Sequence, residues 1–231
     1  MSTAGSIRIL ADASSVAAAA ADFVVDRACE ATAARGVFDL CSTGGSTPAA
    51  LYAALREPAR SARMPWSRTR VWFGDDRWVP RDDPRSNLAP VDAVLLAPSA
   101  DGAPSPLDPA AVHPWPTNLE SPAATAAAYL AALEAHGLPR TAGGLPVFDL
   151  VLIGIGSDGH CLSVFPGSPL ADADAPAAAG VPAPTHIEPH VERVSFSLGV
   201  LAAARAVCAI APGAGKAPAL ATIVDVDGPD R

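Results

Sequence analysis

The chain has 231 residues, a formal net charge of −8, and a composition that is 50% hydrophobic and 17% charged. These values indicate a folded globular protein and exclude a disordered one. The acidic net charge argues against nonspecific binding to nucleic acid, because phosphate backbones require a basic face. A small phosphorylated ligand is still compatible with this charge, since it needs only a local cluster of basic side chains.

No feature of the sequence indicates membrane insertion or secretion. No apolar run approaches the ~20 residues of a membrane span, and the start "MSTAGSIRIL" lacks the charged and apolar regions of a secretion signal. The cysteines are widely spaced without a CxxC pair, which favours buried free thiols; they are Cys29, Cys41, Cys161 and Cys208. We therefore expect a cytoplasmic protein that binds neither membranes nor nucleic acid.

Hydrophobic periodicity predicts helices and strands that alternate along the chain. In chain order the predicted elements are the helix "SSVAAAAADFVVDRACEATAARG" ending at Gly36, the strand "VFDLCS", the helix "PAALYAALREPA", the strand "TRVWFGD", the helical segments "NLAPVDAVLL" and "ESPAATAAAYLAALEAHG", the strands "FDLVLIG", "RVSFSL" and "AVCAIAP", and the start of a last helix, "GKAPALATIV".

Continuous apolar strands separated by helices predict an α/β fold with a mostly parallel sheet and helices on both faces. No linker divides the chain, so we expect one domain over residues 1–231. Ligands of such sheets bind beyond the carboxyl ends of the strands. Three predicted strands end in polar, glycine-bearing turns, after Ser42, at 74–77 and at 154–160. We expect these turns to converge on one crevice.

The turn "STGGSTP", Ser42–Pro48, lies between a strand and a helix. Glycines allow backbone N–H groups to approach an anion, Ser46 and Thr47 add hydroxyl donors, and the helix dipole favours negative charge. The pattern fits equally well an ordinary tight turn in which Ser46 or Thr47 caps the helix.

The segment "WFGDDRWVPRDDPRSN" places Asp75, Asp76 and Arg77 at the end of the second strand. A guanidinium there can bind a phosphate, and a carboxylate can orient it. The alternative is an exposed ion pair in a loop, which adjacent opposite charges usually form. The position at a strand's carboxyl end favours the binding role.

His160 follows a glycine turn directly after the most hydrophobic strand, in "FDLVLIGIGSDGHCLSVFPG". The spacing Gly154-x-Gly156-x-x-Gly159 matches a dinucleotide fingerprint only formally, because Pro166 prevents the full helix which that motif opens. An imidazole held at this position could act as a general base. Cys161 is disfavoured as a nucleophile because immediate neighbours in sequence rarely point at each other.

The remaining histidines lie in Pro-rich loops or at a helix end, and we interpret them as surface residues; they are His113, His136, His186 and His190. No HxH, HExxH or carboxylate cluster has the spacing of a metal site. The sequence therefore predicts neither a metal nor a cofactor.

Four motifs together resemble the 6-phosphogluconolactonase family, in that family's order and over about residues 7–224. They are "STGGSTP", "VWFGDDRWVPRDDPRSN", "FDLVLIGIGSDGHCLSVFPGSP" and "RVSFSLGVLAAARAVCAIAPGAGKAPAL". The resemblance implies a Rossmann-like α/β fold and hydrolysis of 6-phospho-D-glucono-1,5-lactone. It implies a small sugar-phosphate lactone as the partner, and we expect a monomer or a weak dimer.

Carried over to this chain, the resemblance makes His160 the general base that activates water. Arg77 and Lys216 would hold the phosphate, with the turn Gly44-Gly45-Ser46-Thr47 nearby. Asp76 and Asn87 match positions that shape the family's site, and Asp158 matches a position that orients the base turn. Asp76 and Asp158 are accordingly the other candidate catalytic carboxylates.

Two departures and two alternatives accompany this resemblance. The segment "THIEPHVE" replaces a Lys-Pro-Pro-type approach. The family normally continues beyond "ATIVDVDGPDR", so we expect either a C-terminally shortened member or an incomplete C-terminus. A related amino-sugar phosphate deaminase is one alternative, although Val164 and Phe165 stand where deaminases typically carry Asn-Glu. A non-catalytic sugar-phosphate-binding protein is the other.

Overall fold

The computed structural model describes residues 5–44, 46–99 and 102–223. Its strands are β1 (Phe38–Ser42), β2 (Thr69–Phe73), β3 (Asp75–Arg77), β4 (Leu150–Gly154), β5 (Ala178–Val181), β6 (Arg193–Phe196) and β7 (Val207–Ile210). Its α-helices are α1 (Ala13–Arg35), α2 (Ser46–Leu55), α3 (Pro58–Ser61), α4 (Pro122–Ala135), α5 (Leu198–Ala203) and α6 (Ala217–Ile223). A π-helix spans Val91–Leu95, and 3₁₀ helices span Trp66–Arg68, Pro109–Ala111, Pro169–Ala171 and Ala214–Lys216.

The central sheet is parallel, with the strand order β2-β1-β4-β7. All five residues of β1 are buried, as expected for a strand covered on both faces. The predicted α/β fold with a mostly parallel sheet is therefore confirmed. A second, antiparallel sheet, with the order β3-β6-β5, accompanies it.

The prediction for the second sheet was incomplete. The segment "RVSFSL" forms β6 in the antiparallel sheet and not a fifth parallel strand. Asp75–Arg77, expected to be a turn, is the short strand β3. A strand of three residues gives too little periodicity to detect, and β5 lies in an Ala/Pro-rich stretch with weak strand propensity.

Helix α1 follows the predicted boundaries because its ends are capped. The Asp12 side chain accepts a hydrogen bond from Ser15 N at 2.7 Å, and Gly36 ends the helix with a φ of 78°. Its buried residues are spaced three or four apart, so they form one face; they are Ala17, Ala20, Ala21, Val24, Val25, Ala28 and Ala31. This face packs against α2, β1 and β7.

One cluster of buried residues extends across both sheets. Tyr129 of α4 joins them, since its hydroxyl accepts from Phe73 N at 2.9 Å and donates to the His113 carbonyl at 2.8 Å. The Tyr129 ring also packs on Trp115 and Phe196. The end of β2 is thereby held against β6, and this contact positions the turns beyond both strands. No helix within the described ranges is long and apolar enough to cross a membrane.

The two ends of the parallel sheet differ in character. At its amino ends, Asp39 binds Arg70 through two hydrogen bonds of 2.7 and 2.6 Å and accepts one from Trp72 Nε1. Asp149 pairs there with Arg35 and Arg205. The glycine turns lie at the carboxyl ends. The ion pairs therefore stabilise the amino end of the sheet. The carboxyl end is where ligands of such sheets bind.

Two histidines interpreted as surface residues contact Trp72 and, with Asp39 and Arg70, form what we call the amino-end cluster. His136 is exposed, as expected, whereas His113 is partly buried. His113 stacks on Trp72 with ring centroids 4.1 Å apart, and His136 packs edge-on to the same ring at 5.4 Å. Their Pro-rich or helix-end positions gave no indication of this contact, because it depends on the packing of β2 against the segment that follows the π-helix.

Candidate active site

A cavity of about 350 Å³ lies at the carboxyl ends of the parallel strands. The segments after all four strands contribute to its lining: Thr43 and Gly44 after β1, Asp75 and Arg77 after β2, Ile155, Gly156, Ser157 and His160 after β4, and Pro212 and Lys216 after β7. The expected convergence of the three glycine turns is confirmed by this arrangement. The turn after β7 is a fourth contributor.

His160 is oriented by Asp158 within the turn after β4. The Nδ1 atom of His160 lies 2.5 Å from Asp158 Oδ1, and the same carboxylate oxygen accepts from His160 N at 3.3 Å. An imidazole that donates through Nδ1 keeps Nε2 as its proton acceptor. Burial acts to raise the pKa of Asp158, but hydrogen bonds from His160 and His186 outweigh it and hold that pKa at about 2. The carboxylate therefore remains charged beside the imidazole.

Gly156 makes this pairing sterically feasible. A Cβ atom at position 156 would lie 2.1 Å from His160 Nδ1 and 2.6 Å from Asp158 Oδ1. The turn is closed by a hydrogen bond of 2.7 Å from Gly156 N to the His160 carbonyl. Leu162, two residues beyond His160, adopts a φ of 55°, which is uncommon outside glycine. The local backbone is thus shaped around the imidazole.

The side chains of strand β3 alternate between its two faces. Asp75 and Arg77 line the cavity, whereas Asp76 between them points to the opposite face and is absent from the lining. Asp76 had been a candidate catalytic carboxylate; its neighbour Asp75 occupies the cavity side. The sequence analysis expected a turn here, which does not alternate its side chains, whereas the segment is a strand, which does.

Asp76 organises the loop that follows β3. Its carboxylate accepts from Asn87 N and Arg77 N, each at 2.7 Å, and from Ser86 Oγ at 3.1 Å. Burial, reinforced by the neighbouring charge of Asp75, raises the pKa of Asp76 to about 6 although these hydrogen bonds act in the opposite direction. By binding Ser86 and Asn87, Asp76 therefore holds the end of the loop against β3, where the Asn87 side chain lines the cavity.

Asn87 links the other groups of this wall. Its Nδ2 donates to the Asp75 carbonyl at 2.8 Å and to Asp75 Oδ1 at 3.2 Å, while its Oδ1 accepts from Arg77 Nη1 at 2.5 Å. Gly44 lies so close that a Cβ there would be 1.7 Å from Asn87 Oδ1. A residue with a side chain could not replace Gly44, because it would collide with Asn87. Ser163 Oγ also donates to Asp75 Oδ2, at 2.7 Å.

Arg77 and Arg193 face each other across the β3–β6 pair. Both line the cavity, and Arg193 is only 3% exposed. Burial, followed by the positive charge of Arg77, lowers the pKa of Arg193. Within the described residues neither guanidinium forms an ion pair with a carboxylate, and the Nε atom of each is buried without a hydrogen-bond partner. Like charges placed opposite each other on antiparallel strands are destabilising, so this pair leaves positive charge facing the cavity without an anionic partner among the described residues.

The remaining predicted phosphate-binding residues have different positions. Lys216 lines the cavity from the 3₁₀ helix before α6. Gly44 lines it from the turn after β1, and α2 begins at Ser46. Gly45 lies outside the described residues. Ser46 and Thr47 are described only as the first backbone positions of α2, and their predicted contacts with a ligand stay predictions.

The sequence reasoning did not identify Arg193 as part of this site or His186 as a partner of Asp158. It named Asp75 in the turn after the second strand but chose Asp76 as the candidate catalytic carboxylate. Arg193 did carry a signal: it opens the four-residue strand "RVSF", in which every residue is buried, and a buried charge is unusual without a function. Burial raises the pKa of the Cys161 thiol, which favours its protonated and less nucleophilic form.

Comparisons with known proteins agree with this geometry. The sequence profile of the glucosamine-6-phosphate isomerases/6-phosphogluconolactonase family matches residues 11–231. The chain is 36% identical over 217 residues to the 6-phosphogluconolactonase of Streptomyces coelicolor, which covers 89% of this chain and 77% of that protein. It is 35% identical over 206 residues to that of Synechocystis, covering 87% of this chain and 77% of the relative.

Solved structures show the same likeness. The fold superposes on the 6-phosphogluconolactonase from Trypanosoma cruzi with a TM-score of 0.81 and 27% identity, covering 100% of this chain and 88% of the other. The length of the profile match and the identity to these relatives establish the family. The chain belongs to the glucosamine-6-phosphate isomerase/6-phosphogluconolactonase family.

Proposed function

We propose that this protein is a 6-phosphogluconolactonase, which hydrolyses 6-phospho-D-glucono-1,5-lactone to 6-phospho-D-gluconate in the oxidative pentose phosphate pathway. One observation carries the proposal: an oriented imidazole and two guanidiniums share a cavity of about 350 Å³, and neither guanidinium has a carboxylate partner in the part of the chain that the structure describes. Family membership and the names of its relatives support the same activity.

The phosphate of the substrate would bind between Arg77, Arg193 and Lys216. Hydrogen bonds from charged donors to phosphate are strong, and the planar guanidinium can make two at once. A bound dianion would also offset the repulsion between the two arginines. The phosphate does not react; its binding energy instead fixes the lactone carbonyl near the base.

His160 would act as the general base. Its Nε2 accepts a proton from water as the water oxygen bonds to the lactone carbonyl carbon. When the resulting tetrahedral intermediate collapses, the bond to the ring oxygen breaks, and the imidazolium can return its proton to that oxygen. Asp158 holds the ring through Nδ1 and stabilises the imidazolium. No step of this mechanism requires a metal or a cofactor.

Phe165 argues against deaminase chemistry. The related deaminases are expected to carry a glutamate at this position, where it would assist ring opening. Here the Phe165 ring packs on the His160 ring with centroids 4.7 Å apart. An apolar ring thus stands where a deaminase would have a second acid–base group. His160 remains as the base, which is sufficient to activate the water that hydrolyses a lactone. A non-catalytic binding protein would not need an imidazole held by a carboxylate.

The decisive experiment generates the lactone in situ and follows its disappearance with and without the protein. We expect acceleration by the wild type, and a loss of roughly 10²–10⁴-fold in kcat for His160→Gln, which keeps a polar side chain but cannot accept a proton. Affinity for 6-phosphogluconate should change little. Ammonia release from glucosamine 6-phosphate faster than lactone hydrolysis, or no acceleration at all, would overturn the proposal.

The proposal includes a cytoplasmic location and a monomeric or weakly dimeric state. The low-molecular-weight, charged substrate and the site built within a single chain support both expectations. Sedimentation of the purified protein over a range of concentrations measures the assembly state directly.

A further inference from the structure

The Asp158 carboxylate contacts two imidazoles, one on each oxygen. Oδ1 lies 2.5 Å from His160 Nδ1, and Oδ2 lies 3.0 Å from His186 Nε2. His186 is 26 positions beyond His160 in the chain, so this contact is made by the fold and not by the base turn. The side chain of Asp158 is 22% exposed, and the side chain of His186 is 52% exposed.

The loop that carries His186 forms one wall of the cavity. It connects β5 to β6, and its next two residues, Ile187 and Glu188, line the cavity. The Phe165 ring lies between the two histidines, 4.7 Å from the His160 ring and 5.5 Å from the His186 ring. The bond from His186 to Asp158 therefore joins this loop to the turn that bears the base.

We propose that His186 is a positioning residue for the hydrolysis: it binds the free oxygen of Asp158, fixes the plane of that carboxylate, and so holds His160 in its reactive orientation. The inference rests on the proposed function. His186 does not line the cavity itself, so it acts through Asp158 and not on the substrate.

The physical reason is rotational freedom. A carboxylate held at one oxygen can turn about its terminal bond, whereas one held at both cannot do so without breaking a hydrogen bond. A hydrogen bond to a charged group contributes less when the group is half exposed than when it is buried, because water competes for it. Because His186 is half exposed, we expect its removal to lower kcat about three- to tenfold.

The test compares three variants with the wild type. His186→Ala removes the hydrogen bond, and His186→Gln retains a side-chain N–H donor. His190→Ala is the matched control, since its imidazole is on the same loop but bonds to the Pro184 carbonyl and to Glu188 and not to Asp158. kcat and KM are measured for the phosphorylated lactone, and thermal unfolding verifies that each variant is folded.

We expect His186→Ala to lower kcat three- to tenfold with KM unchanged within about twofold, as for a group acting on orientation and not on binding. His186→Gln should recover at least half of that loss, and His190→Ala should stay within about twofold of the wild type. The inference is overturned if His186→Ala retains wild-type kcat, matches His190→Ala, or changes only KM. If His186→Ala does not fold, His186→Leu, which fills the space without an N–H donor, takes its place with the same expected loss of kcat and the same overturning outcomes.

The proposed function is judged separately in this experiment. Wild-type hydrolysis together with an inactive His160→Gln establishes the lactonase and its base. Failure of the His186 variants to respond would then remove His186 alone and leave the proposed activity standing.

Discussion

In the proposed function, the arginine pair opposes stability and serves binding of the phosphate. Arg193 is buried opposite Arg77, and among the described residues its guanidinium makes one hydrogen bond, to the Pro189 carbonyl at 3.2 Å. Its aromatic neighbour Phe165 lies 5.4 Å from the guanidinium carbon and compensates in part. A buried charge of this kind is retained where a ligand uses it, as sites commonly sacrifice stability for function.

We expect Arg77→Ala and Arg193→Met each to lower kcat/KM for the phosphorylated lactone about ten- to a hundredfold, because each removes charged hydrogen bonds to the phosphate. Hydrolysis of the unphosphorylated lactone should hardly change. Parallel kinetics on both substrates measure this difference. Arg81→Ala is the control, since Arg81 is on the loop that follows β3 but pairs with Asp92 at the surface.

The same variants distinguish binding from structure. Arg193→Met should unfold in urea with a free energy no lower than that of the wild type, because it removes a buried repulsion and keeps the volume. Equal kinetic losses on both lactones would show that the arginines do not bind the phosphate.

At the scale of elements, the glycine turn after β4 fixes the position of His160, the proposed base. β4 is buried between β1 and β7, and the turn begins where the strand ends at Gly154. The close packing of Gly156 against both His160 and Asp158 leaves no space for a methyl group. The orientation of the imidazole therefore depends on a residue that makes no chemical contribution of its own.

Gly156→Ala should lower kcat by about ten- to a hundredfold, since displacement of a catalytic group by about 1 Å has effects of this size. Gly143→Ala is the control, because a Cβ at Gly143 meets only Thr141 Oγ1 at 3.7 Å, in a loop far from the cavity. Steady-state kinetics and thermal unfolding of both variants test the expectation. Wild-type kcat in Gly156→Ala would mean that the turn accommodates the methyl group without moving His160.

At the scale of the whole molecule, the amino-end cluster makes stability depend on pH. Burial, followed by the positive charges of His136 and Arg70, lowers the pKa of His113 from 6.5 to about 4, and the nearby Asp39 compensates only partly. The Nε2 atom of His113 is buried without a hydrogen-bond partner among the described residues. Between these two pH values the unfolded chain binds a proton that the folded chain does not, so stability falls as the pH decreases.

We expect the free energy of unfolding to decrease on moving from about pH 7.5 to about pH 5, with His113 contributing about 1 kcal/mol after allowance for its partial exposure. His113→Phe keeps the stacking on Trp72 without a titrating group, so it should lose about 1 kcal/mol less than the wild type over this interval. Urea denaturation at both pH values measures the difference. Equal losses in the two proteins would exclude His113 as a source of acid sensitivity.

Much of this protein could be predicted from local sequence because local physics decides it. The capped helix α1, the buried strands β1 and β4, and the glycine turn before His160 depend on periodicity, capping and backbone freedom within short windows. The positions of His160 and Arg77 at strand ends also followed, since parallel strands bring their carboxyl ends to one edge. Lys216 was expected only from the family resemblance.

The tertiary structure alone decided which side chains meet. Whether Asp75 or Asp76 faces the cavity depends on the pairing of the three-residue strand β3 with β6, and the same pairing places Arg193 opposite Arg77. His186 reaches Asp158 through the loop between β5 and β6, far from the base turn in sequence. Strand pairing and loop closure are contacts between distant segments, and their register is selected by the burial of the whole core and not by any local pattern.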